Sequence, residues 1–406
     1  MKEEHRRTVE RLYVPWILLL LFLLAFPGSG LAFNVVGPRA MGMGGAYVAV
    51  CDDATAVYWN PAALTQIKGI VDISLFGGVQ VTEQVVEDLK DLDDWFNDHD
   101  LAGITGSDLE NLKDILERFN RKDEGVIANA NAGLSLATKW VALSSVALAE
   151  GKLATQADTQ TSHLVTRRGR AQNGSQANIG TLVTNDIALT GATTLGIPNL
   201  ALGVSSKYIM ARQYTDTEYV FDQDTGQFNE DITDLEHWSK EFDKNRADGW
   251  AWGIDAGALI ILGDIFKIGV LGRNINEPEI EWEDHEPKTK LRGQYRAGAA
   301  LTLFKVLTIS ADGDLSEQGR EIIETKSGKK YHFNESQEFS MGAEWRVLGS
   351  YLALRAGVNN ILESGEAGRL YTGGLGIRIP FVGFDLAGGY GGDDRWAASL
   401  GLNVKF

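Results

Sequence analysis

The chain has 406 residues, 46 of them Gly and 8 Pro, with a formal net charge of -17 and a pI near 4.8. Such acidity argues against nucleic-acid binding, which rests on basic surfaces that neutralise phosphates. Cys51 is the lone cysteine, so no disulfide framework or paired redox motif can form within the chain.

In chain order, Lys2, Arg6, Arg7 and Arg11 precede an apolar run from Trp16 to Phe26, and Pro27 to Ala32 supply a breaker and small residues. This order predicts a secretory signal peptide over 1–32. The run is too short for a spanning helix, which needs roughly 20 residues. No later stretch resembles one, so any membrane span is expected to be β. Gly37 to Leu64 then read GPRAMGMGGAYVAVCDDATAVYWNPAAL, dense in Gly and Ala without a sustained period. Glycines suit a segment packed inside something narrow. Their spacing is not G-x-G-x-x-G, and no G-x-x-x-x-G-K-[ST] occurs, so nucleotide binding is not indicated.

Arg39 to Ala46, Asp52 to Ala54 and Asn60 to Ala62 resemble the entry segment of the FadL/TodX superfamily of outer-membrane barrels, which includes PorV-like secretion proteins and TraF-type plasmid-transfer proteins. The resemblance implies a plug or hatch over 33–66, carried by Arg39, Gly42, Gly44, Gly45, Asp52, Asp53, Asn60, Pro61 and Ala62. In this reading the Asn60-Pro61-Ala62 corner fixes the hatch inside a barrel of residues 67–406.

From Val71 the alternation of apolar and polar residues predicts about fourteen strands: 71–81, 126–138, 140–156, 177–192, 198–214, 247–262, 265–274, 290–304, 306–315, 336–347, 350–360, 368–380, 382–391 and 394–406. The gaps alternate long and short through most of the chain. That is the pattern of an all-β, transmembrane, antiparallel up-and-down barrel in a Gram-negative outer membrane, with short periplasmic turns and long extracellular loops. In the C-terminal half one parity collects apolar residues, and the other collects Arg296, Asp312, Glu344, Arg346, Arg355, Arg378, Asp385, Arg395 and Lys405. The charges are therefore expected in the lumen, either as a carboxylate site or as ion-paired struts. Around 141–149 the faces are ambiguous. The last strand places Leu400, Leu402, Val404 and Phe406 on one face, which resembles the assembly signal of outer-membrane barrels and implies lipid and the barrel-assembly machinery as partners.

Two long loops carry helical periodicity, through Leu89, Leu92 and Phe96, through Leu112, Leu116 and Phe119, and through Leu235, Trp238 and Phe242. These stripes are expected either to pack together as a lid or to offer a hydrophobic docking site. There is no G-x-S-x-G, H-E-x-x-H or C-x-x-C, so neither an enzyme nor a cofactor is expected. His99, His163, His237, His285 and His332 are scattered over loops, and the acidic run from Asp88 to Asp100 lacks calcium-loop spacing. No metal site is expected. The resemblance implies uptake of hydrophobic small molecules such as long-chain fatty acids. Its alternative is a non-transporting barrel acting as an adaptor in conjugation or secretion, with a protein partner over the loops.

Overall fold

The computed structural model describes residues 35–83, parts of 91–99, 106–119, 125–156, 158–159, 174–195, 199–221, 229, 246–263, 265–283, 288–316, 323–324, 330–331, 337–361, 368–391 and 395–406. The segment before the first strand holds α1 (Pro38–Gly42), α2 (Ala56–Trp59) and a 3-10 turn (Pro61–Gln66). The wall follows with β1 (Asp72–Glu83), then a loop carrying α3 (Gly106–Phe119), then β2 (Gly125–Ala137), β3 (Val141–Gln156), β4 (Gln176–Thr194) and β5 (Leu200–Tyr219). Next come β6 (Ala247–Leu262), β7 (Phe266–Arg273), β8 (Glu279–Trp282), β9 (Thr289–Lys290), β10 (Gln294–Leu303) and β11 (Leu307–Asp314). After β12 (Ile323–Glu324) and β13 (Lys330–Tyr331), the wall finishes with β14 (Glu338–Val347), β15 (Leu352–Ile361), β16 (Arg369–Ile379), β17 (Val382–Gly391) and β18 (Arg395–Lys405).

Fourteen of these strands, among the described residues, pair antiparallel in one closed circuit. β1 pairs with both β2 and β18, and β5 pairs with β6 to complete the ring. Closure leaves no wall strand with an unpaired edge, which a lipid-exposed sheet requires. The short β12–β13 hairpin stands apart in a long loop. β8 and β9 form a second hairpin on the upper edge of β6, where Trp282 lies opposite Gly249. Residues 289–290 therefore belong to that hairpin and not to the strand predicted from 290, and β10 begins only at Gln294.

Strand parity divides lipid from lumen. Outward positions are large and apolar, for example Leu75, Leu143, Leu189, Ile309, Leu386 and Leu400, all exposed. Inward positions of β10–β18 carry the charges. A Lys or Arg facing lipid at the midplane costs about 2–4 kcal/mol, which explains the segregation. Arg212 and Asp248 point outward near the extracellular ends and pair with each other at 2.6 Å. Aromatic rings mark both interfaces, as in other outer-membrane barrels. Tyr371, Tyr390 and Trp396 lie in one cross-strand row on the long-loop side. Phe381 stacks on Phe406 at 6.3 Å on the short-turn side. Among the described residues no helix is long and apolar enough to cross a membrane.

In β3 the inward residues Ala142, Val146 and Leu148 are apolar as well, because they pack against the segment that fills the lumen. That packing is why the faces of 141–149 are ambiguous in the sequence. Val141 and Leu143 face lipid.

Candidate functional site: the filled lumen

Residues 36–67 lie inside the barrel and are almost wholly buried. The wall makes room for them with glycine. Gly203 of β5 faces Gly257 of β6, Gly269 of β7 faces Gly298 of β10, and Gly342 of β14 faces Gly357 of β15 in the strand registers. A methyl group at Gly203 would run into Pro61, one at Gly257 into Asn60, and one at Gly342 or Gly357 into the Met43–Gly44 backbone. Gly44 itself has φ +65°, and a side chain there would meet the Val358 backbone at 2.6 Å. Gly42 lies against Gly374, whose Cα would stand 3.1 Å from an added methyl. Gly45 also has positive φ and lies beside Ser340.

Hydrogen bonds then tie segment to wall. The Asn60 side chain donates to the carbonyls of Val48 and Ala258, both at 3.1 Å, while its oxygen accepts from the Ala62 amide at 3.1 Å. One asparagine thus holds a turn of the segment, caps the 3-10 turn opened by Pro61, and binds β6. Asp312 of β11 accepts from the amides of Tyr47 and Val48 at 2.6 and 2.7 Å. Trp59 is fully buried, packs edge-on to Tyr47, and donates to the Val36 carbonyl at 2.8 Å.

Three ionic clusters surround this segment. In the first, Arg39 pairs with Asp52, with Asp53 at 3.4 Å and with Glu344 at 2.8 Å. Glu344 also accepts from Arg346 at 2.9 Å and Arg355 at 2.8 Å, and Asp385 pairs with Arg355 and Arg378, each at 2.7 Å. Burial opposes ionisation of Asp52, yet Arg39 first, then Lys405 and Arg346, outweigh it and hold its carboxyl well below the ordinary range. Asp53 is lowered by the same balance between burial and Arg39. Burial pushes the Tyr47 phenol and the Cys51 thiol up, so both stay neutral at pH 7. In the second cluster Arg296 sits 3.3 Å from Asp314 and 3.6 Å from Glu338, and donates to Ser340 at 2.7 Å.

The third cluster carries no motif in the sequence. Lys207 reaches Asp186 at 3.2 Å and Asp255 at 3.0 Å, with Arg273 beside them at 3.5 Å from Asp186. The Arg273 guanidinium lies 3.9 Å over the Tyr58 ring. Burial, opposed by Arg273, pushes the Tyr58 phenol up to about 12. The signal was parity: Lys207 shares the inward face of β5 with Ser205 and Ile209. Above this cluster the inner face turns apolar, with Leu182, Ile209, Ala211, Ala247 and Ala251 packed with Ile280, Trp282 and Leu291.

Of the loop residues, Leu92, Leu112 and Leu116 are fully buried. Their two helical stretches are tied at both ends, by Arg118 to Asp91 at 2.7 Å and by His99 to Asp108 at 3.9 Å. α3 ends at Phe119. The side chain of Phe119, and Leu89, Phe96, Leu235, Trp238 and Phe242, lie outside the described residues, as do His163, His237, His285 and His332. The described residues contain no cluster suited to a metal ion. Leu400 and Phe406 face outward, with Leu402 and Val404 half-buried on the same parity. The Phe406 carbonyl accepts from the Ile70 amide at 2.6 Å, which fastens the C-terminus to the start of β1.

The sequence profile of the F plasmid transfer operon TraF protein family matches residues 57–314, more than half of the chain. The chain belongs to this family. Among solved structures, this TraF-family barrel is similar to the Ralstonia pickettii toluene transporter TbuX, at 15% identity and TM-score 0.55, covering 92% of this chain and 100% of that one. It is similar also to the P. putida toluene transporter TodX, at 11% identity and TM-score 0.55, covering 92% and 99%. A third likeness is to the CymD monoaromatic hydrocarbon channel, at 15% identity and TM-score 0.53, covering 92% and 99%. At such identities the likeness is one of fold, that of the FadL/TodX-type β-barrels. A search of curated protein sequences returns no match.

Proposed function

We propose that this barrel takes up hydrophobic small molecules, such as long-chain fatty acids, across the outer membrane. The observation that supports the reading is the apolar cluster above the Lys207 cluster, where Ile209 and Ala251 of the inner face pack against Ile280 and Trp282 toward the long-loop end. Such a cluster gives a hydrophobic ligand apolar side chains to pack among if it enters from the long-loop end. The solved relatives named as toluene transporters and as a monoaromatic hydrocarbon channel support the ligand class. Residues 33–66 serve as the plug, with residues 1–32 removed as a signal peptide. Arg39, Asp52, Asp53 and the Asn60-Pro61-Ala62 corner fix the plug, while Arg296, Glu344, Arg346, Arg355, Arg378 and Asp385 act as struts of the wall.

A second reading, an adaptor in conjugation or secretion, is favoured by one observation: the lumen beneath the apolar surface is filled and ion-paired. The two readings separate by mass spectrometry of small molecules extracted from gently purified protein, with Ile209→Glu as the comparison. A hydrophobe recovered near one per chain and lost in the variant supports uptake. Recovery of none from either protein overturns uptake in favour of the adaptor.

A further inference from the structure

The first ionic cluster opens at the short-turn, periplasmic end into a cavity of about 210 Å³. Six cationic side chains line it, Arg39, Lys68, Arg346, Arg355, Arg378 and Lys405, against four carboxylates, Asp52, Asp53, Glu344 and Asp385. Six minus four leaves a surplus of two positive charges among the lining residues, reduced to one by Asp72, which pairs with Lys405 from behind the lining, in a chain whose formal net charge is -17.

The surplus is not evenly spread. Each carboxylate is already engaged by an arginine: Asp52, Asp53 and Glu344 by Arg39, and Asp385 by Arg355 and Arg378. Lys405 is held by Asp72 at 2.9 Å. Two cations at the mouth keep donors to spare. Among the described residues Arg346 uses its Nε on Glu344 with its two terminal nitrogens unengaged, and Lys68 is exposed with no acid partner. The space is ample for a small anion. A cleft with one sign of surplus charge and protein walls concentrates the opposite ion. Guanidinium nitrogens in a fork match a tetrahedral oxyanion, and an ammonium adds a point charge.

We propose that this periplasmic mouth binds a phosphoryl group, held by Lys68 and the terminal nitrogens of Arg346, with Arg378 and Lys405 behind them. A phosphate monoester carries about -1.5 to -2 at pH 7, opposite in sign to the surplus of the mouth. The group can belong to a soluble phosphate ester of the periplasm or to a lipid with a phosphomonoester head. The site is independent of hydrophobe uptake, since it lies beneath the filled lumen and opens on the other side.

The test is equilibrium binding to the full barrel in a non-ionic detergent. The probes are inorganic phosphate, phosphatidic acid and, as a singly charged carboxylate, acetate. Lys68→Gln/Arg346→Gln is the test variant. It leaves Glu344 paired with Arg39 and Arg355, both at 2.8 Å, so the fold persists, and heat-modifiable migration on gels verifies it. Lys288→Gln, on the opposite rim where Lys288 pairs with Glu281, is the control. Saturable phosphate binding that weakens at least about tenfold in the double variant, and is unchanged in the control, is expected from the loss of two charge-assisted contacts. Binding of inorganic phosphate identifies a soluble source, and binding of phosphatidic acid alone identifies a lipid. Absence of saturable binding by either probe, equal affinity in wild type and double variant, or acetate binding as tightly as phosphate would overturn the proposal.

Discussion

The two sides of the barrel hold the same lumen segment by different physics. From β10 to β18 the grip is ionic and backbone-to-backbone: Arg39 reaches Glu344, Asp312 accepts the Tyr47 and Val48 amides, and Gly342 and Gly357 admit the Met43–Gly44 backbone. From β1 to β3 it is apolar, with Phe76, Ala142, Val146 and Leu148 in the cluster that includes Trp59 and Leu64. The difference follows from the segment itself, which puts Arg39 beside Glu344 of β14 and puts Trp59 and Leu64 in the cluster that holds Phe76, Val146 and Leu148. A lumen filler that is amphipathic needs a wall that is amphipathic in section, and the strands supply it.

The contrast can be broken from either side. The largest effect is expected at the backbone contact. Gly357→Leu places a side chain where the Met43–Gly44 backbone runs, and the expected result is loss of the folded, heat-modifiable barrel. Gly191→Ala, with open space around it, should migrate as wild type. Next comes the ionic side. Arg39→Ala leaves Asp52 and Asp53 without their arginine in a largely buried site, and breaking a buried pair costs about 3–5 kcal/mol, to be read from urea unfolding in detergent. The apolar side should be more forgiving. Leu148→Ala is expected to cost about 2 kcal/mol, the low end for such truncations. An equal loss at Arg39 and Leu148 would contradict the division between the two sides.

The smallest effect is in pH. Asp52 and Asp53 have folded-state values below their ordinary ones. The stability they contribute is therefore complete above the unfolded carboxylate value of about 3.9 and is lost as pH falls through the lower folded values. Unfolding midpoints should be insensitive to this pair from pH 8 to 5 and should drop below about pH 4. Asp52→Asn should flatten that drop.

The same two-sided construction governs what could be read from the sequence. Where the inner face is charged, as at Arg296, Glu344, Arg355 and Asp385, parity separates lipid from lumen, and strand ends fall within a few residues. Where the inner face packs on an apolar filler, as at Val146 and Leu148, both parities are apolar and the period carries no sign. The glycine pairs were invisible because they are defined by cross-strand register, a relation between residues far apart in the chain. The Lys207 cluster had a local signal, a lysine on an inward parity, but its partners Asp186, Asp255 and Arg273 come from three other strands. The β8–β9 hairpin sits in what reads as a loop, since Glu279 to Trp282 is too short to show a period.

The central structural claim is that residues 36–67 fill the barrel and stay there. Single-channel recording in planar bilayers tests it most directly, using the wild type and a variant lacking residues 36–66. A silent wild type beside a variant with large, steady conductance steps is the predicted result. Steady open-pore conductance from the wild type would contradict it.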